Sequence, residues 1–271
     1  MNRSALLAVA GRELGTVVRT RSSVALAAVY ALLVVGVAWT AGLSGYLSAT
    51  LDLLAPMEAL VPALALAFGY RSVYDDARSG ELDVIRTYPV SRAGFVLGVY
   101  LGRLAPLLVV VATPFVAVAV LVAVGGGAGS SVIASHGGAD TWVLLVRFAV
   151  LTELFAAVAL AVALVVSTVA RSLRGAIALG VAAAVALVVG FDLGIVAALG
   201  AGPVGEGSLQ WLLAASPNSA YRGLVLQTVL GAVTTLPTPA ASAPANLLGL
   251  LAWLVGALAL AVVTVWPGGG R

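Results

Sequence analysis

Cysteine is absent from these 271 residues, lysine is absent too, and there is one histidine, His136. Without a thiol there is no disulfide, no iron–sulfur ligation and no cysteine nucleophile. A single imidazole excludes a multi-histidine metal centre. With two methionines, one the initiator, the soft donors that copper prefers are missing as well, so no metal site is expected. The most restrictive absence is charge. A soluble domain carries roughly 25% charged residues, whereas this chain carries 9%. What it has instead is 62% hydrophobic residues and a mean hydropathy of +1.12. A soluble fold could not cover its core with so few polar groups, so the composition points to a polytopic membrane protein. The pI of 9.6 suits a membrane surface better than nucleic acid, since no soluble domain accompanies the arginines. Their use in place of every lysine reads as codon bias.

Six apolar stretches, near 24–43, 54–73, 98–124, 143–169, 175–199 and 246–266, are each long enough for a hydrocarbon core. Backbone in lipid must satisfy its own hydrogen bonds, and the alternation of a transmembrane β-barrel is missing, so the spans are helices and the fold is all-α. The N-terminus does not read as a signal peptide, because its arginines are scattered and the run Ala5–Ala10 is short. Leu6, Leu7, Ala10, Leu14, Val17 and Val18 instead share one side of a helix, which predicts an amphipathic interfacial helix over 1–23.

Arginine placement sets the orientation. The segments 1–23, 74–97, 170–174 and 267–271 hold ten arginines, and the opposite loops, 44–53, 125–142 and 200–245, hold one, Arg222. Both termini are therefore expected in the cytoplasm and the chain in the plasma membrane. "GGGAGSSVIASHGGADT" (125–141) reads as an external linker with a solvated His136. In the segment 200–245 two short helices are expected, broken at Ser216-Pro217-Asn218, with Trp211 and Tyr221 at the membrane interface.

No phosphate-cradling GxxxxGK[ST], no HExxH and no GxSxG occurs, so nothing here composes a catalytic site. Charge concentrates instead in "YDDARSGELDVIRTYPVSRAGF" (74–95). Ser79 can cap a short helix with Glu81 and Asp83 in its first turn, Leu82, Ile85 and Tyr88 form a stripe, and Pro89 ends it. Such a stripe suits headgroups or a partner's groove.

The segment 76–103 resembles the one after the second span in ABC-2 type transporter permeases, at Asp76, Gly80, the Leu82/Ile85 stripe, Pro89, Val90, Ser91, Arg92, Gly98 and Gly102. Glu81 stands where such families often have Thr. "SPNSAYRGLVL" (216–226), with Pro217, Asn218, Tyr221 and Arg222, is similar to a segment of the subgroup that includes the membrane subunit of the nitrous-oxide-reductase maturation exporter. The resemblance implies one six-span domain over 1–271, with 74–95 as a cytoplasmic coupling helix. It also implies a second copy of the chain, a separate cytoplasmic ATPase subunit holding ATP and Mg, and room for an extracytoplasmic accessory protein. An anchor or assembly factor without transport fits the same composition.

Four charged residues fall inside predicted spans: Glu58, Arg147, Glu153 and Asp192. Charge at that depth is costly and pairs or faces a cavity. Arg147 and Asp192 share an outer half and could pair, whereas Glu153 is expected to face a transport path or a partner helix. Gly94, Gly98 and Gly102, spaced by four, predict close helix packing within the subunit.

Overall fold

The computed structural model describes residues 3–125, 140–200, 206–229, 231 and 242–266. The linker with His136, the proline-rich stretch 232–240 and Arg271 lie outside the described residues. Every regular element among the described residues is helical. The first is α1 (Arg3–Arg19), followed by α2 (Arg21–Thr40), α3 (Tyr46–Gly69), α4 (Ser72–Arg78), α5 (Glu81–Ile85) and α6 (Arg92–Gly125). Then come α7 (Trp142–Val169), α8 (Leu173–Val185), a π turn (Ala186–Gly190), α9 (Phe191–Gly200), α10 (Glu206–Ala215), α11 (Pro217–Thr228) and α12 (Ala243–Thr264). Among the described residues, six helical units are long and apolar enough to cross a membrane: α2, α3–α4, α6, α7, α8–α9 and α12. All-α architecture with six spans is thus observed as expected. The end of the bundle that carries Arg71, Arg78, Arg86, Arg92, Arg103, Arg171 and Arg174 is called the basic end here, and the opposite one the far end.

The second helical unit breaks where it leaves the core. Its N–H groups at Val73 and Tyr74 would be orphaned by the break at Tyr70-Arg71, and Ser167 of α7 accepts both, at 2.8 and 3.0 Å. At the far end Asp140 does the same for α3, accepting from Leu47 N–H at 2.8 Å and Tyr46 N–H at 3.1 Å. Both caps come from residues more than ninety positions away, so α3 and α7 are tied together at both ends.

α7 is the central helix. Phe148, Phe155, Ala159, Leu160 and Leu164 are fully buried against α3, α6, α11 and α12. Gly69 lets α3 approach, since a Cβ there would lie 2.5 Å from the Ala163 side chain.

α6 has 34 residues, roughly 50 Å at ~1.5 Å per residue, against a core of about 30 Å. It is therefore longer than a span requires, and α1 packs along its first dozen residues. A Cβ on Gly98 would lie 2.8 Å from that of Val9, and one on Gly102 would lie 2.5 Å from the Ala10 carbonyl. Gly94 is buried one turn before, and its N–H is taken by Ser91 Oγ at 3.1 Å. The glycine ladder is therefore a seat for α1. α1 is not amphipathic in the simple sense expected. Leu6, Glu13 and Val17 are buried against its neighbours, while Leu7, Leu14 and Val18 stay exposed on a second apolar face.

Candidate functional site

Two constellations of charge organise the molecule, one at each end. At the basic end, α1 contributes Arg12 and Glu13, the loop contributes Asp76 and Glu81, and α6 contributes Arg103. Arg12 donates to Asp76 at 2.6 Å, to Glu13 at 2.8 Å, and to Glu81 in a short contact. Glu13 also accepts from Arg103 Nε at 2.8 Å, and Arg103 reaches the Phe68 carbonyl at 2.5 Å. Burial pulls the Arg12 guanidinium down, but Asp76, Glu13 and Glu81 outweigh it and hold it above the usual arginine range. Glu13 is 3% exposed, so its charge is tolerable only because two guanidinium groups flank it.

The loop is pinned from its other side as well. Arg86 and Arg92 lie over the Trp266 ring, 5.9 and 5.6 Å from its centroid. Between the two fastenings, three expectations need correction. Ser79 does not cap the short helix: it closes α4, and Gly80, at φ 76°, turns the chain into α5. That left-handed conformation favours glycine. Leu82 is 7% exposed and joins the protein's own core, with Ile85 packed against that core, so neither is the outward stripe. The exposed apolar tip is Val84, at 57%, and Tyr88, at 62%, beside exposed Thr87 and Pro89. The i, i+3, i+6 pattern was real, but the chain's own bundle claims its first two members.

At the far end, α11 enters the bundle instead of lying at its edge. Tyr221 is fully buried, which overturns its expected place at the interface. Its ring stacks on Phe155 with centroids 4.6 Å apart, and its hydroxyl meets Thr152 at 2.8 Å. The next residue, Arg222, grips Glu58 of α3 with two nitrogens, Nε at 2.6 Å and Nη2 in a short contact. Asp192 of α9 accepts from Ser216 at 2.6 Å, Ser219 at 2.8 Å and Asn218 at 3.4 Å, and lies 3.8 Å from Arg222. The π turn exposes the Val188 carbonyl, which Asn218 takes at 3.2 Å. The suggested Arg147–Asp192 pair does not form. Arg147 donates to the Thr228 carbonyl at 3.0 Å, closing the C-terminus of α11.

The hairpin of α10 and α11 breaks where expected. Ser216 caps α11, accepting from Ser219 N–H at 3.2 Å, and Pro217 follows it in the first turn. Trp253 of α12 donates to the Ala215 carbonyl at 2.9 Å and holds the hairpin down. Trp211 is exposed.

Glu153 stands apart. It is partly exposed on the same face of α7 as Val146 and Val150, and among the described residues it has no hydrogen-bond or ion-pair partner. It lies eleven residues from Trp142, or ~16 Å along the helix, near the middle of a span.

Sequence reasoning named both members of the Glu58–Arg222 pair without joining them. It missed Arg12, Glu13 and Trp266 as partners of the loop. The signal for Glu13 was a lone acid on the apolar face of α1.

The model of a family described as ABC-2 family transporter protein matches residues 7–265. The chain is 30% identical over 269 residues to a probable ABC transporter permease protein NosY of Pseudomonas aeruginosa, covering 93% of this chain and 94% of the relative. It is 30% identical over 274 residues to a protein of the same name from Stutzerimonas stutzeri, covering 93% and 95%.

Proposed function

Since the chain belongs to the ABC-2 transporter family, we propose that it is the membrane subunit of an ABC exporter, driven by ATP that a separate cytoplasmic ATPase hydrolyses with Mg. The basic end faces the cytoplasm, both termini with it, and the whole chain acts as one transmembrane domain that works beside a second copy. The loop at 74–95 is the docking element. What supports this reading is a single arrangement: a loop fastened to α1 through Arg12 and to Trp266 through Arg86 and Arg92, with Val84 and Tyr88 left outside. A force applied at the tip passes through Arg12 to α1, and through Glu13 and Arg103 to α6 and the end of α3. Transmission needs such a stiff, multiply attached element. Glu153 faces the path of the cargo or a helix of the second copy, because an unpaired carboxylate cannot rest in acyl chains at that depth.

The test is co-purification of the full chain with its ATPase. Val84→Asp and Tyr88→Asp place a carboxylate in the proposed contact, where desolvation without a partner costs several kcal/mol. Both variants should insert and remain folded, yet lose the ATPase. Binding at wild-type strength would remove the docking assignment, and a chain that never retains an ATPase would favour an anchoring role instead. For orientation, cysteines placed in this cysteine-free background at Ala41 and Ser79, both exposed, should label from outside and from inside respectively.

A further inference from the structure

Two hollows lie in succession along the helices α3–α4 and α8, one lined by Tyr74 and Arg174 and the next by Tyr70 and Ile177, about one turn further on each helix. The outer hollow, about 800 Å³, is lined by Tyr74, Arg78, Arg171, Ser172 and Arg174 among others. Its three arginines have no ion-pair or hydrogen-bond partner among the described residues. The inner hollow, about 370 Å³, continues along the same two helices between Ala63, Leu66, Ala67 and Tyr70 on one side and Ile177, Gly180, Val181 and Ala184 on the other. The residues Arg174, Ile177, Val181 and Ala184 recur at three to four positions, so the cationic group and the apolar wall lie on one face of α8. From Arg174 to Ala184 the groove runs ~15 Å, about half of a hydrocarbon core. Gly180 lines it and is buried; a Cβ there would already touch that of Tyr70 at 3.7 Å, so a longer side chain has only the groove to extend into.

We propose that this groove binds an anionic phospholipid of the basic-end leaflet, its phosphate among Arg78, Arg171 and Arg174 and an acyl chain along Gly180. The charge complements the phosphate. The basic half is followed along the helices by a wall with almost no polar atom, at the depth where headgroup gives way to chain. An acidic protein segment would match the arginines but would leave the apolar half without an occupant.

The full chain is purified and incubated with phosphatidylglycerol or phosphatidylcholine, and retained lipid is counted by native mass spectrometry. Phosphatidylglycerol should be retained in preference. Arg171→Gln with Arg174→Gln should lower its retention roughly ten-fold, since each arginine near an anionic surface contributes several-fold. Gly180→Leu, which fills the apolar half and leaves every charge in place, should lower retention as well. The pair Arg19→Gln with Arg21→Gln, which removes the same charge elsewhere, should not. Equal loss in that control pair, equal retention of phosphatidylcholine, or full retention in Gly180→Leu would each overturn the proposal. So would an Arg171/Arg174 variant that keeps its lipid and loses the ATPase, which would give the basic hollow to an acidic protein surface.

Discussion

The two charge clusters are built from similar groups and differ in what they join. At the far end, Arg222, Glu58, Asp192 and Asn218 sit among helices, and Glu58 is 7% exposed and Asn218 1%. Every partner there belongs to a span or to the hairpin packed within the spans. At the basic end Glu13 and Asp76 are buried as well, and Arg12 joins three elements distant in sequence: α1, the loop and, through Glu13, the start of α6. A buried ion pair is weak as a source of stability, but breaking one strands a charge and is costly. Glu13 of the basic cluster is as buried but shares its load, since it keeps Arg103 when Arg12 is lost, whereas among the described residues Arg222 is the sole cation on Glu58. The far cluster should therefore decide whether the protein holds together, and the basic cluster whether it transmits.

The largest effect is expected at Arg222. Arg222→Met leaves Glu58 charged and buried, at a cost of roughly 2–4 kcal/mol, short of the full range because the guanidinium is itself partly exposed. Thermal unfolding in detergent should show it, and adding Glu58→Leu should recover most of the loss. Gly102→Leu comes next, at about 1–3 kcal/mol of overpacking against α1. It should unseat the helix, read as faster proteolysis between α1 and α2. Arg12→Gln should cost less than Arg222→Met, about 1–2 kcal/mol in the same melt, because Arg103 stays on Glu13 and the amide can still donate to Asp76, yet sharply reduce ATP turnover stimulated by the membrane subunit. Glu153→Gln should shift stability by no more than ~0.5 kcal/mol, since the carboxylate has no partner to lose. Transport-linked turnover should fall, and unchanged turnover would remove Glu153 from the path. If Arg12→Gln melts like Arg222→Met, the contrast between the clusters fails.

The spans were legible because hydropathy over twenty residues is a local signal that lipid enforces. So was the break at Ser216-Pro217, where a capping hydroxyl and a proline meet. The resemblance to ABC-2 permeases, carried by a few residues around Gly80 and Pro89, pointed to the family whose model covers the chain. What stayed hidden were partners distant in sequence. Arg12 and Asp76 are 64 positions apart and Glu58 and Arg222 are 164, and no periodicity links them. Leu82 and Val84 illustrate a second limit. Both are apolar residues on one short helix, and only the position of the surrounding bundle decides which is claimed by the core. Tyr221 erred for the same reason, since an amphipathic ring serves an interface or a buried hydroxyl pair equally well.

The claim that Arg12 and Asp76 act as one link between α1 and the docking loop is tested most directly by a double-mutant cycle. The readout is ATP turnover of the purified complex with Arg12→Gln, Asp76→Asn and both. The account predicts that each single change lowers the stimulation and that the double variant is no worse than the poorer single. Independent, fully additive losses would contradict it.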